Sequence, residues 1–156
     1  MEKTNVMRVL DQKKIQYNAH DYTESSTVVG TEVARVLNQD PRFVFKTLVT
    51  VGKSKKNYVF MIPVAEELDL KKAAKTVGEK SIEMIKSKEL LPLTGYIHGG
   101  CSPIGMKKFF QTTVHETAKG YDKIFFSAGK IGYQVEVSPK DLEKVIRLDY
   151  ADLIVE

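Results

Sequence analysis

Three features of this 156-residue chain could carry chemistry: a lysine inside a strand-like run, a cysteine close to a histidine, and a pair of glycine-rich loops. Lys46 lies in Phe43-Val44-Phe45-Lys46-Thr47-Leu48-Val49-Thr50-Val51, where seven of the nine residues are β-branched or aromatic. That is the composition a pleated, at least half-buried surface selects. Alternation puts Lys46 with Val44, Leu48 and Thr50, and Phe43, Phe45, Thr47, Val49 and Val51 on the opposite face. An ammonium group among such neighbours has two readings. In one, the four-carbon stem lies along apolar surface and the head reaches water. In the other, the strand borders a pocket, and the ammonium is a fixed positive charge for a phosphate, carboxylate or carbonyl oxygen.

Cys101 follows His98 by three residues, and a neighbouring imidazole can favour a thiolate nucleophile. Spacing of three in a loop fixes no geometry, however, and a lone cysteine ordinarily behaves as a small hydrophobe. His20, His98 and His115 are scattered without metal-ligand spacing, so no metal is expected. The loops Gly99–Gly105 and Ser127–Gly132 carry residues without a Cβ, which let backbone N–H groups approach a phosphate or a developing oxyanion. Neither has the phosphate-loop pattern of a nucleotide hydrolase or the dinucleotide fingerprint, so no cofactor is expected. Taken with Lys46, they point to a pocket for an anionic or ester-bearing substrate.

The elements that must position these residues follow from local signals. Thr4 caps a helix reaching about Lys14, and Ile15 to Tyr22 reads as a strand of mixed polarity. Thr31 opens a helix ending near Asn38, ahead of Pro41. The Lys46 strand turns at Gly52–Asn57 into Tyr58–Ile62 as an antiparallel hairpin, and Pro63 stops the second strand. Asp69 caps a helix over Leu70–Val77 closed by Gly78. Ser81 to Ile85 reads as a short strand or turn, and Ser87–Leu91 as a short helix ended by Pro92. Three strands follow over Thr112–Thr117, Lys123–Ala128 and Tyr133–Val137, and Ser138-Pro139 opens a helix through Ile146. Ala151–Val155 is expected to add a last helical turn. Strands interleaved unevenly with helices argue against a regular parallel sheet. They favour a mixed α/β single domain over residues 1–156, built on a β-barrel or strongly curved sheet flanked by helices.

Composition bounds the function. A chain of this length typically buries about 68–70% of the surface its unfolded form exposes, so a core needs no staples. One cysteine excludes an internal disulfide and fits a reducing cytoplasm. Met1–Leu10 has no apolar run of signal-peptide length, and no stretch is long and apolar enough for a membrane span. A net charge of +4 is a mild excess, not the footprint of a duplex-DNA binder. Lysines cluster at 53, 55 and 56, at 71, 72 and 75, and at 107 and 108, which permits contact with a phosphate backbone.

Several separated segments resemble the YbaK/EbsC family in order: Phe45-Lys46-Thr47-Leu48, Pro63-Val64-Ala65 with Leu68-Asp69-Leu70-Lys71-Lys72, Thr94-Gly95-Tyr96 through Gly99–Gly105, and Ser127-Ala128-Gly129-Lys130-Ile131-Gly132. That family is similar to the editing domain inserted in bacterial prolyl-tRNA synthetase, and its members deacylate mischarged aminoacyl-tRNA, chiefly cysteine on tRNA(Pro) and also on tRNA(Cys). The resemblance implies that Lys46 is the essential lysine, Thr47 its neighbour in the site, Gly99 a pocket glycine with Gly100 beside it, Tyr22 a strand-end tyrosine and Ser127 a pocket serine. Two positions depart from well-known members: Val29 where an aromatic stands, and Gln134 where an aspartate stands. A glutamine can still accept a hydrogen bond from a substrate amine but lacks the charge.

The reaction implied is attack of the substrate cysteine's own thiol on the aminoacyl carbonyl, through a cyclic thioester that water opens. Proximity supplies rate in such a step, which suits a chain without an evident triad. One methyl-sized difference in an apolar pocket is worth only about 1–3 kcal/mol, and reading a thiol by its reactivity avoids that limit. The expected partners are the aminoacyl-tRNA 3′ end and, transiently, prolyl-tRNA synthetase. Two alternatives stand beside this one: an alanine deacylase acting on tRNA(Pro), and a tRNA-binding module without turnover.

Overall fold

The computed structural model describes residues 1–156. Helix α1 (Asn5–Gln12) starts where the Thr4 hydroxyl accepts the Met7 N–H at 3.3 Å, and it buries Val6, Met7 and Leu10. Strand β1 (Asn18–Asp21) leads by a short 3-10 turn to α2 (Gly30–Val36). The Lys46 strand is β2 (Phe45–Gly52), paired antiparallel along its length with β3 (Asn57–Pro63). Asp69 caps α3 (Leu70–Val77) by accepting the Lys71 and Lys72 N–H groups at 3.0 Å, and Gly78 closes it in the left-handed region. Next come β4 (Ile82–Met84), α4 (Ser87–Thr94), β5 (Gln111–His115), β6 (Ile124–Ser127), β7 (Tyr133–Val137), α5 (Pro139–Val145) and β8 (Asp149–Ala151).

The strands form two sheets. One runs β1-β7-β6, all antiparallel. The other runs β4-β2-β3-β5-β8, with β3–β5 and β5–β8 parallel. A single parallel bridge between Val44 and Phe125 joins them. This is the mixed, curved arrangement expected from the chain, but it does not close into a barrel. β4 reaches β2 only at Thr50–Gly52, so the outer backbone edge of Phe45–Leu48 has no ladder partner beyond that bridge.

The main core gathers α1, Phe45, Met61, Val114, Ile104, Leu142 and the inward side chains Ile124, Phe126, Val135 and Val137. A second cluster of Tyr58, Phe60, Ile62, Ala73, Ala74 and Leu153 lies on the other face of β3, under α3. The five-stranded sheet is therefore covered on both faces, and Lys46, paired with Ile62, lies on the α3 side. A small third cluster of Ala34, Val44 and Val64 seats α2 against Phe125.

Three local expectations are corrected. The chain's end is not helical: Asp149–Ala151 pairs in parallel with β5, and Ile154 bridges Leu68. Its alternating apolar residues fill a sheet edge, and Leu153 becomes fully buried. Helix α4 does not stop at Pro92 but continues to Thr94. The proline removes one backbone bond, while the Thr94 hydroxyl donates to the Leu90 carbonyl at 2.7 Å and the Gly95 N–H to Leu91 at 2.9 Å, holding the last turn. Strand β5 ends at His115, where Glu116–Gly120 coils into a 3-10 turn.

Candidate active site

The unpaired edge of β2 opens onto a cavity of about 320 Å³ between the two sheets, walled by α2, the Gly99 loop and the ends of β1, β6 and β7. Tyr22, Val29, Lys46, Thr47, Gly99, Ser127 and Gln134 all line it. Val29, immediately before α2, is 59% exposed and stands at the mouth, whereas Tyr22 and Gln134 are buried. Gly100 stands behind the wall: a Cβ there would lie 3.1 Å from the Ile131 nitrogen, so this glycine lets the two glycine loops press together.

Eleven of the eighteen lining residues are hydrophobic, none is Asp or Glu, and Lys46 is the lone lysine or arginine. The Lys46 ammonium is half-buried and makes neither a hydrogen bond nor an ion pair. Burial pushes its pKa below the ordinary lysine value, with Glu67 and Glu66 nearby acting in the opposite sense. Beside it the Thr47 hydroxyl oxygen is buried without a partner. An uncompensated ammonium and an unsatisfied hydroxyl in one wall are costly. Together in a cavity wall they mark a candidate ligand site.

The backbone of the first glycine loop divides its work unequally. The Gly100 N–H donates to the Ile97 carbonyl at 2.9 Å and is spent, while the Gly99 N–H has no acceptor in the protein. Gly99 holds φ +86°, and a Cβ would fall 2.8 Å from the Val28 Cβ, so a side chain there meets both strain and collision. Across the cavity the Ser127 hydroxyl accepts the Gly129 N–H at 3.1 Å and keeps its own proton free to donate.

Two residues that first drew notice also reach the cavity, His98 and Cys101. Burial pushes the Cys101 thiol up to about 12, which keeps it protonated. No group of three His, Cys, Asp or Glu side chains could hold a metal ion. No helix is long and apolar enough to cross a membrane.

Gln39 is the residue that the sequence did not flag. Its amide and that of Gln134 are reciprocally bonded, at 2.7 Å and 3.0 Å, although 95 positions separate them. It follows α2 in a polar stretch, Asn38-Gln39-Asp40, indistinguishable in sequence from a solvated connection.

An open cavity between two sheets, with one unpaired cation, a free backbone N–H on one glycine loop and a serine hydroxyl at the start of the other, has the makings of an acyl- or phosphate-binding site in a mixed α/β fold. Comparison with known proteins narrows this. Residues 24–145 match the aminoacyl-tRNA editing domain. A protein of Enterococcus faecalis, EbsC, named as a candidate Cys-tRNA(Pro)/Cys-tRNA(Cys) deacylase, is 44% identical over 153 residues, covering 97% of this chain and 93% of that one. The fold is shared with a crystal structure of a candidate trans-editing enzyme for prolyl-tRNA synthetase (TM-score 0.82, 24% identity, 97% of this chain and 95% of that one). It is shared also with a hypothetical protein (TM-score 0.88, 21% identity, 99% of this chain and 100% of that one). The chain belongs to the aminoacyl-tRNA editing domain family, as its YbaK/EbsC motifs implied, and that family implies an aminoacyl-tRNA substrate.

Proposed function

We propose that this protein is a trans-editing hydrolase that deacylates cysteine mis-attached to tRNA(Pro), with cysteinyl-tRNA(Cys) as a second substrate. The observation that carries this reading is the unpaired Lys46 ammonium in a cavity whose one thiol is held protonated. Such a site offers charge and position but no activated nucleophile of its own, which suits a substrate that brings one. The substrate thiol attacks its own acyl carbon, the bond to the terminal adenosine oxygen breaks, and the thiol proton passes to that oxygen. The resulting four-membered thioester is opened by water to free cysteine. Lys46 holds the 3′ end or the carbonyl oxygen, the Gly99 N–H offers a donor to the developing oxyanion, and the Ser127 and Thr47 hydroxyls orient the ester. Tyr22 and Val29 flank the acyl group, and Gln134 lies against it. Residues 1–156 act as one editing domain, in the cytoplasm, with no cofactor. The relative's name supports the substrate.

The test is deacylation of cysteinyl-, alanyl- and prolyl-tRNA by the purified protein. Turnover of the cysteinyl ester far above the alanyl one is expected; equal rates on both would indicate direct water attack and an alanine deacylase. Binding without turnover would leave a tRNA-binding module. The surface lysines carry no base-reading pattern, so tRNA(Pro) would be selected through a transient complex with prolyl-tRNA synthetase. Sedimentation of protein, synthetase and tRNA together tests that, and the absence of any ternary species refutes it.

A further inference from the structure

The Gln39–Gln134 pair determines what the cavity can offer to a substrate amine. Gln134 is 3% exposed; its Nε2 donates to Gln39 Oε1 at 3.0 Å, and its Oε1 accepts from Gln39 Nε2 at 2.7 Å. Gln134 thus keeps one N–H free while its oxygen already accepts from Gln39, and it lines a cavity whose wall contains a lysine and no carboxylate. An α-ammonium brought here meets a like charge and, in Gln134, an amide oxygen already engaged by Gln39, in surroundings that are mostly apolar, and finds no anion to replace its water. An uncharged amine instead can accept that N–H through its lone pair, and an acyl group without an amine has nothing to desolvate.

We propose that the cavity admits short 3′-acyl groups whose α-amine is uncharged or absent, and that Gln39 sets this preference by engaging Gln134. Gln39 is then a positioning residue acting through Gln134, and the ligand class is neutral 2-amino or 2-unsubstituted acyl groups on a terminal adenosine. The inference rests on the deacylase reading above.

The experiment uses the whole protein and two adenosine analogues in which a 3′-amide replaces the labile ester, one carrying 2-aminobutyryl and one butyryl. Both mimic the size of cysteine with a methyl in place of the thiol, so the amine is the titrating difference between them. Lys46, His98, Tyr22 and Cys101 in the wall, and Glu66 and Glu67 near Lys46, meet the same acyl chain in both ligands, so their effect on that chain cancels in the ratio of inhibition constants and their effect on the amine's charge stays in it. An α-amine titrates at about 7.7–8.0, so the aminobutyryl Ki should fall about tenfold per pH unit between pH 6 and 7, while the butyryl Ki stays flat. A ratio that changes less than threefold between pH 6 and 8, or an aminobutyryl analogue that binds tighter at pH 6, overturns the proposal.

Gln39→Leu, which frees the Gln134 oxygen, should flatten the ratio, and Gln134→Glu should invert it at pH 6; an unchanged ratio in a folded Gln39→Leu variant would show that Gln39 is purely structural. The wild-type comparison stands if either variant fails to fold. Failure of both analogues to inhibit would remove the acyl-site reading and this inference with it. Inhibition by both with a ratio flat in pH removes the inference alone.

Discussion

Replacement of Lys46 by Met separates what this side chain does for the reaction from what it does for the fold. The ammonium is half-buried, has no carboxylate or carbonyl partner, and carries a pKa lowered chiefly by burial. A methionine of similar length keeps the packing of the stem against the Ile62 side of the sheet and removes the desolvated charge. Stability should therefore change by less than about 1 kcal/mol, or rise. The sign follows from the direction of the shift. With the folded-state pKa below 10.5, the charged lysine weakens the fold at neutral pH, and that penalty fades as pH climbs from the folded value toward 10.5. Any advantage of Lys46→Met should thus be largest at neutral pH and vanish in alkali.

Activity should behave oppositely. A unit charge about 4 Å from an oxyanion is worth about 4 kcal/mol at an effective dielectric of about 20, and loss of one oxyanion donor typically costs about 10²–10³ in rate. The assay is kcat/KM on cysteinyl-tRNA together with urea unfolding of both proteins. Activity within tenfold of wild type, or a stability loss above about 2 kcal/mol, would refute the reasoning, because Lys46 would then serve the scaffold instead of the substrate.

Gly99→Ala, with φ +86° and a Cβ 2.8 Å from Val28, should cost about 1–3 kcal/mol of stability and depress deacylation more than Gly78→Ala, where φ is similar but nothing lies within 4 Å of the new Cβ. Equal losses in unfolding and activity assays would show that strain alone matters at Gly99. Cys101→Ser should keep turnover within about threefold, since burial holds the thiol protonated near 12; a loss beyond a hundredfold with native circular dichroism would reinstate a thiol enzyme. His115 accepts the Leu153 N–H at 3.1 Å through Nδ1, and burial lowers its pKa below 6.5 despite Asp152. Its contribution is complete above pH 6.5 and drains away as pH falls from 6.5 through the folded value. The unfolding free energy of His115→Gln should therefore depend less steeply on pH below 6.5 than that of wild type, and parallel profiles would refute this.

Much of this architecture is legible in the chain because it rests on short-range rules. Thr4, Asp69 and Ser138 cap the helices they precede, since a side-chain oxygen reaches N–H groups two or three residues on. Gly52–Asn57 and Ser127–Tyr133 turn hairpins, and the Lys46 strand announces itself by composition. Lys46, Gly99 and Ser127 stand out because their types are unusual for their surroundings. The misjudged ends have a common cause. The segment Asp149–Val155 has too little local preference to decide its own state, and it becomes a strand and bridge only because β5 and Leu68 offer free edges.

Sequence alone determined the element types up to the C-terminal segment, the presence of a lysine that needed an explanation, and the family. Tertiary structure alone decided that β4 stops short of Phe45–Leu48, so that the gap between the sheets is a cavity and not a closed barrel. It also decided that Gly100 spends its N–H while Gly99 does not, and that Gln39 meets Gln134. These outcomes depend on which distant segments touch, and contacts across tens of residues are set by the sum of core packing, with no local pattern to encode them.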